Sequence, residues 1–515
     1  MRVKMSRAPV PSEETPPRSL DRDLLPEHVL AAEPLAEEGA AERLILEPLA
    51  DVSHINLRKR QPSWEARHSA GESRREVTPH HLHGAWKAPD ERPDPVHLIE
   101  QTHIGRQAWL VPLRVARMAR SPFAFLRGAA SVMAWDLART PCSGIRVVID
   151  GDAHISNFGL FGSPQHDIVL DLNDFDEVTV GPWEWDLKRL VASIEVAARE
   201  FEASSHLRRQ AVMAAVGGYQ RKMIDLAPQG SLDVWRYSAR VDQADLCGLE
   251  PDAESRNLLL RSAEKARKNN NQNLLARSGD RRLQDGWRFK EEPPILTHID
   301  AETRDAVIAG LERYAETLPR ERRFMLSRYH VVDVAHRVVG IGSVGTRTYI
   351  ALLCGNSDQD ALFLQVKEAV KPAHSPYVSG MPKVYQEHEG ERVIYGQRLL
   401  QAAGDPLLGW TTISDRPFYV RQMRNMKGEI PIGSMTESSF IYFSRLYGAL
   451  LARAHARTGD AAAIAGYSGG DDDSELANAL ADWASAYADQ SEADHQAFRA
   501  AIQAGRLKAE EDLDL

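Results

Sequence analysis

Two short β-branched runs, Val147-Val148-Ile149 and Ile168-Val169-Leu170, constrain this chain more than any other feature, because each stops at a loop crowded with acid and amide groups. Such runs, with a turn marked by Gly162-Ser163-Pro164 between them, read as strands, so the polar groups of residues 147–177 sit at strand ends. Asp152 and Asn157 lie five positions apart with His154 between them, and Asp171, Asp174, Asp176 and Glu177 follow the second run.

Carboxylates and an amide at this spacing suit phosphoryl transfer, whose transition state asks for positioning and charge neutralisation more than for covalent chemistry. In the protein-kinase pattern H-R-D-x-x-x-x-N the Asp accepts the substrate hydroxyl proton and the Asn holds Mg²⁺, as does the Asp of a later D-F-G. Asp152, Asn157 and Asp174-Phe175 fit those slots, with His154 counted in the catalytic loop and Asp176 with the metal carboxylates. The segment resembles most closely the aminoglycoside-phosphotransferase-like branch of the kinase fold, where the loops read H-G-D-x-H-x-x-N and I-D-F-D-D/E. Gly151 through Asn157 matches from the Gly onward, and Asp150 stands where that branch has its first His. GPWEWDLKRL resembles the G-x-x-x-x-D-L-A segment of those enzymes, which implies Asp186 as the carboxylate that braces the loop. From about residue 90 the chain also resembles a family of uncharacterised bacterial proteins, a likeness that names no activity.

At residue 331 the texture changes to VVDVAHRVVGIGSVGTRTYIALLCGNSDQDALFLQVKEAV, which reads as strand, glycine turn, strand, turn, strand. Gly340, Gly342 and Gly345 form a G-x-G-x-x-G around Ser343. A dinucleotide fingerprint should open a helix, whereas TRTYIALL is β-branched and aromatic, which favours a kinase-style hairpin laid over phosphates. Lys367 falls on the third strand, where kinases carry the Lys that pairs with nucleotide phosphates. Alternation of Leu362, Leu364 and Val366 against Phe363, Gln365 and Lys367 assigns it to one face. The next segment, ERVIYGQRLLQ, occupies the place of the kinase helix whose Glu pairs with that Lys; its middle holds no Glu, and Gln397, Glu391 and Glu387 stand as alternative partners. FYVRQMRNMKG resembles the strand and hinge that receive adenine, with Arg421-Gln422-Met423 as hinge backbone, and SSFIYFSRLYGALLARAHART resembles the helix that leads into a catalytic loop.

An ordinary kinase presents these parts in the opposite order. The resemblance therefore implies an α+β, two-lobed, kinase-like fold that is circularly permuted, a change proteins tolerate where surface termini are rejoined. Its expected parts are a largely flexible arm over residues 1–90, a catalytic α-rich lobe over 91–330, a β-rich nucleotide lobe over 331–430, and C-terminal helices over 431–515 packing on the catalytic lobe. ATP and Mg²⁺ are the expected cofactors, and the acceptor substrate is not named by any motif. Two rivals keep part of this reading: a nucleotide-binding pseudokinase or AMP-transferring enzyme of the same fold, and a metallophosphoesterase, for which Asp152-Ala153-His154 supplies a D-x-H.

A chain of 515 residues has room for two or three domains. Its 63 basic against 73 acidic residues argue against a general binder of nucleic acid or anionic membrane. Three scattered cysteines imply no disulfide framework, and no run approaches the roughly 18 apolar residues of a membrane span, so a soluble cytoplasmic protein is expected. Within the arm, AAERLILEPLADVSHI is apolar enough to dock, and PHHLHG reads as a solvated loop. Arg114, Arg117, Arg120 and Arg127 have the geometry to bind phosphate and equally fit surface helix charge. The polar tract KNNNQNLLARSGDRRLQDGWRFKEE reads as a mobile loop, and the acidic GGDDDSE turn as solvated.

Overall fold

Ser63 accepts a hydrogen bond from the Ala66 N–H and opens helix α1 (Trp64–Val77). The computed structural model describes residues 57–510, apart from Lys59, Ala244, 283–285, Asp358, 379–386, 424–425 and 471–473. The AAERLILEPLADVSHI segment, the rest of the arm before residue 57 and the three acids of GGDDDSE lie outside the described residues. The sequence pattern implies a flexible arm as far as residue 90, but α1 and the turn His80–Gly84 are packed. Gly71 lies so close to Ala463 that a Cβ there would strike its carbonyl oxygen. His80 and His83, expected in solvent, are buried, with their Nε2 atoms 2.6 and 2.7 Å from the carbonyl oxygen and the hydroxyl of Tyr467. One tyrosine supplies a polar partner to the Nε2 of each ring, and burial drives the His83 pKa down to about 2.

Proline placement cuts the Arg-rich stretch into short helices, because Pro is tolerated only in a first turn. They are α2 (Val111–Ala119), α3 (Pro122–Gly128) and α4 (Ala130–Leu137). Strands β1 (Arg146–Ile149), β2 (Phe158–Gly162), β3 (Ile168–Leu172) and β4 (Thr179–Pro182) follow. β1 pairs antiparallel with β4, Val148 opposite Val180, and β2 pairs antiparallel with β3, Leu160 opposite Leu170. Every residue of WEWDLKRLVASIEVAA in helix α5 (Trp183–Glu200) is buried, Glu184, Asp186, Lys188 and Arg189 included, so this helix is the axis of the helical body. Helix α6 (Ser205–Leu226) and helix α7 (Ala253–Arg267) complete the first half of that body.

The tract expected as a mobile loop forms a helix, Asn271–Ser278, and a hairpin of β5 (Gly279–Arg282) and β6 (Gly286–Phe289). Strand β7 (Leu296–His298), helix α8 (Ala301–Thr317), β8 (His330–Arg337), β9 (Thr348–Cys354), β10 (Ala361–Glu368), helix α9 (Glu389–Leu400), β11 (Gly409–Ile413) and β12 (Arg416–Gln422) come next. Six of these strands build one antiparallel sheet in the order β11-β12-β10-β9-β8-β7. Its period-two pattern sorts the side chains as the sequence implied: Leu362, Leu364 and Val366 join Val307, Leu311 and Tyr314 of α8, while Phe363 joins Leu274, Leu275 and Phe289 on the opposite face. Lys367 shares the Phe363 face. The helix α8 and the hairpin thus clothe the sheet, and the β-rich part begins some sixty residues before the expected boundary at 331 because these polar segments each carry one narrow apolar stripe.

A two-residue strand β13 (Gly428–Glu429) then adds to the free edge of β2, and the chain closes with helices α10 (Glu437–Ala456), α11 (Ala461–Ser468) and α12 (Glu475–Gln503). Where α6 crosses α10, a Cβ on Gly218 would strike the Arg445 carbonyl oxygen and one on Gly448 that of Ala215, so the two backbones touch. The core of this body contains Val147, Val148 and Ile149 together with residues of α5, α6, α10, α11 and α12. The protein is thus mixed α+β with antiparallel sheets, and no helix among the described residues is long and apolar enough to cross a membrane.

Candidate functional site

The loop that leaves β1 is held by helix α5 from below. Asp186, in the first turn of α5, accepts the Asp150 N–H at 2.7 Å and the Gly151 N–H at 2.9 Å, and His455 Nε2 lies 3.1 Å from its Oδ2. This is the bracing carboxylate that the sequence pattern implied. Gly151 has φ +77°, and a Cβ on it would meet the Glu177 carbonyl oxygen, so only glycine lets the two acid-rich loops approach. Asn157 staples them: its Nδ2 donates to Asp150 Oδ2 at 2.9 Å and to the Asp174 carbonyl at 3.0 Å, and its Oδ1 accepts the Asp174 N–H at 2.8 Å.

Asp152 accepts from Arg189 Nε at 3.0 Å and Nη2 at 2.5 Å, and its other oxygen lies 3.6 Å from His154 Nε2. Burial raises its pKa, while Arg189 opposes that rise. His154 is buried beside Arg127 and Arg189, and burial together with those two charges pushes it well below the usual imidazole value, so its ring is neutral. Asp150 is completely buried with one oxygen unpartnered, and burial, Asp186 and Asp152 raise it well above the carboxylate range.

From the other half of the chain comes Lys367. Its ammonium pairs with Asp176 and lies 3.9 Å from Asp174 Oδ1, and Tyr419 donates its hydroxyl to Asp176 at 2.7 Å. Burial alone would raise the Asp176 carboxyl, but Lys367 and Tyr419 overcome it and hold the group at about 2. Gln397, Glu391 and Glu387 do not reach Lys367: Gln397 donates to Gln401, and α9 turns buried Arg392 toward the site, where it donates to the carbonyls of Asp176 and Val178. The partner of Lys367 is supplied by the second acid-rich loop itself. Asp174 Oδ1 accepts no hydrogen bond.

The glycine turn is clamped over this acid cluster. Gly340 and Gly345 have φ +69° and +94°, Ser343 Oγ donates to Asp176 Oδ2 at 3.1 Å, and Arg117 and Arg106 donate to the Gly340 and Val344 carbonyls at 2.7 and 2.6 Å. A cavity of about 1380 Å³ opens between the turn and the two loops, and Asp152, His154, Asn157, Asp174, Asp176 and Glu177 all line it. Burial pushes Glu177 up to about 7.

Gln422 and Met423 stand apart from this arrangement, and Arg421 meets it only from behind the cavity wall, donating to the Asn173 carbonyl at 3.3 Å and helping to lower Asp176. None lines the cavity: the Arg421 guanidinium bonds Gln365, the Gln422 N–H donates to Asp405 and the Met423 N–H to the Phe363 carbonyl. With those donors spent, the connecting strand meets the cavity further on, at Lys427, Gly428 and Glu429. Lys367 is itself only 2% exposed and stands behind the two aspartates. Sequence reasoning missed Arg189 and Tyr419, and it named Glu177 in the acid run without giving it a role. Arg189 had a signal, since it follows the bracing Asp186 by three residues and so shares its helix face.

A helical body and an antiparallel sheet meeting at a large, acid-lined cavity define an α+β protein. The chain belongs to the family described as an uncharacterized protein conserved in bacteria (DUF2252), which matches residues 106–501. No curated protein and no solved structure matches it.

Proposed function

We propose that this protein is an ATP- and Mg²⁺-dependent phosphotransferase with a circularly permuted, kinase-like, two-lobed fold. One observation carries the reading: Lys367, buried behind the cavity wall, pairs with Asp176, 191 positions away, and Asp176 lines the cavity together with Asp152, Asn157 and the glycine turn. A phosphate-pairing Lys, metal carboxylates, a base and a glycine hairpin are the parts phosphoryl transfer needs, whatever their order in the chain.

Asp152 is the base in this reading, oriented by Arg189 and kept more basic than an ordinary aspartate by burial. Asp174 Oδ1, with no hydrogen-bond partner, suits a Mg²⁺ ligand, and Mg²⁺ is commonly held by one or two carboxylates with the remaining positions left to water and phosphate. Asn157 Oδ1 already accepts the Asp174 N–H and would serve as a second ligand through its remaining lone pair. Bound there, Mg²⁺ would offset charge on the transferring phosphoryl group.

Asp152→Asn tests the assignment. Turnover in an ATP-consumption assay should disappear while Mg·ATP binding persists, and a variant with undiminished turnover would remove Asp152 from the mechanism. The engaged Asn157 amide favours a second reading, a nucleotide binder or AMP-transferring enzyme of the same fold, which mass analysis of the products separates from phosphoryl transfer. A metallophosphoesterase would turn over without ATP, so loss of activity when ATP is withheld excludes that reading.

A further inference from the structure

Arg114 is buried at 2% exposure in the cavity wall, and two of its three guanidinium nitrogens, Nε and Nη1, have no hydrogen-bond partner; Nη2 donates to the Gly128 carbonyl at 2.9 Å. No carboxylate forms an ion pair with it; burial and the like charge of Arg106 hold its pKa well below the usual value, and the Glu177 carboxyl, which also lines the cavity, opposes them only in part. Buried charges are normally paired, because a desolvated cation without a partner is costly. One residue before Gly128, Arg127 also faces the cavity with its Nε unpartnered, its guanidinium resting 5.8 Å from the centre of the Phe123 ring. The same ring packs edge-on against His154, and Asp152 is the charge that acts most strongly on Arg127. Arg127 therefore flanks the base with an idle donor, on the α3 side of the glycine turn where its carbonyl faces Gly342, and Arg114, bonded to the carbonyl of the next residue Gly128, presents two more idle donors in the wall of the same cavity.

We propose that Arg114 and Arg127 form a preformed oxyanion subsite for the acceptor, so that the substrate carries a phosphate or carboxylate group besides its reacting hydroxyl. This rests on the phosphotransfer reading and deepens it. Guanidinium forks match such planar or tetrahedral oxyanions with paired N–H donors. The cavity volume of about 1380 Å³ exceeds the ~300–1,000 Å³ of a site for one small ligand, which leaves room for an acceptor beside a nucleotide. Lys367 and the metal carboxylates mark the nucleotide end; Arg127 belongs to the end where the base must meet a hydroxyl.

Thermal-shift and calorimetric titrations of the full chain at constant ionic strength test this, using inorganic phosphate, acetate and Mg·ATP separately on wild type, Arg127→Gln and Arg114→Met. Phosphate or acetate should stabilise the wild type, and whichever binds more tightly names the oxyanion. Arg127→Gln should weaken that binding about tenfold or more and leave Mg·ATP binding unchanged. Arg127 is only partly buried and makes no side-chain bond to the fold, so this variant remains informative if Arg114→Met does not fold. A wild type that binds neither anion, or an Arg127→Gln variant that binds them equally well, overturns the subsite. Loss of Mg·ATP binding in Arg127→Gln overturns the acceptor assignment, because the guanidinium would then serve the nucleotide. A wild type that binds phosphate through these arginines but never binds Mg·ATP leaves the oxyanion subsite standing and removes the phosphotransfer reading.

Discussion

Replacing Lys367 by Met keeps most of the apolar stem and deletes the ammonium that joins the two halves of the chain. The Asp176 carboxyl it leaves behind is 23% exposed and still accepts from the Tyr419 and Ser343 hydroxyls, so the loss should fall below the roughly 3–5 kcal/mol of breaking a fully buried pair. The displacement of the Asp176 pKa from 3.8 to about 2 gives an independent figure, about 2 kcal/mol at neutral pH. Because the folded pKa is depressed, that contribution is complete above 3.8 and fades as the pH falls through about 2. Urea unfolding followed by tryptophan fluorescence should therefore find Lys367→Met about 2 kcal/mol less stable than wild type at pH 7, with the gap closing in acid. Asp176→Asn in the same background should cost little more, since the pair is already broken. Single effects that add to within about 0.5 kcal/mol in the double variant would refute the coupling, as would a gap that is constant with pH.

Glu177 should respond with the opposite sign. Its folded pKa is raised from 4.5 to about 7, so its stabilising contribution is complete below 4.5 and is lost as the pH rises through 7; Glu177→Gln should gain about 3 kcal/mol on wild type at pH 8 and nothing at pH 4 in the same urea titration. Gly448→Ala forces a methyl against the Ala215 carbonyl where α6 and α10 touch, and should cost about 2–4 kcal/mol in thermal unfolding; a neutral effect would mean the helices cross with more room than described.

What the sequence made legible follows from period and local chemistry. Alternation along β9 and β10 survives because consecutive apolar residues face two separate cores, and that alone assigns Lys367 to its face. The braced loop was readable through resemblance alone: GPWEWDLKRL is similar to a family segment whose Asp braces the loop, and Asp186 meets the backbone N–H groups of Asp150 and Gly151. Partnerships between distant segments were not: Asp176 as the partner of Lys367 depends on how the sheet closes on the helical body, which no local pattern encodes. The same holds for Arg392, which replaces the expected helix carboxylate with a donor to loop carbonyls. Residues 64–90 and 271–289 misled because their apolar stripes are narrow and interrupted by charge, so composition resembled loops while tertiary packing made helices and strands. Arg421 through Met423 lay on the right strand, yet the sheet and Asp405 consume their donors before the cavity begins.

The most direct measurement is calorimetric titration of Mg·ATP into wild type and Lys367→Met. The account expects saturable, Mg²⁺-dependent binding to the wild type and at least about a tenfold loss in the variant. Absence of binding to the folded wild type, or equal affinity in the two proteins, would contradict it.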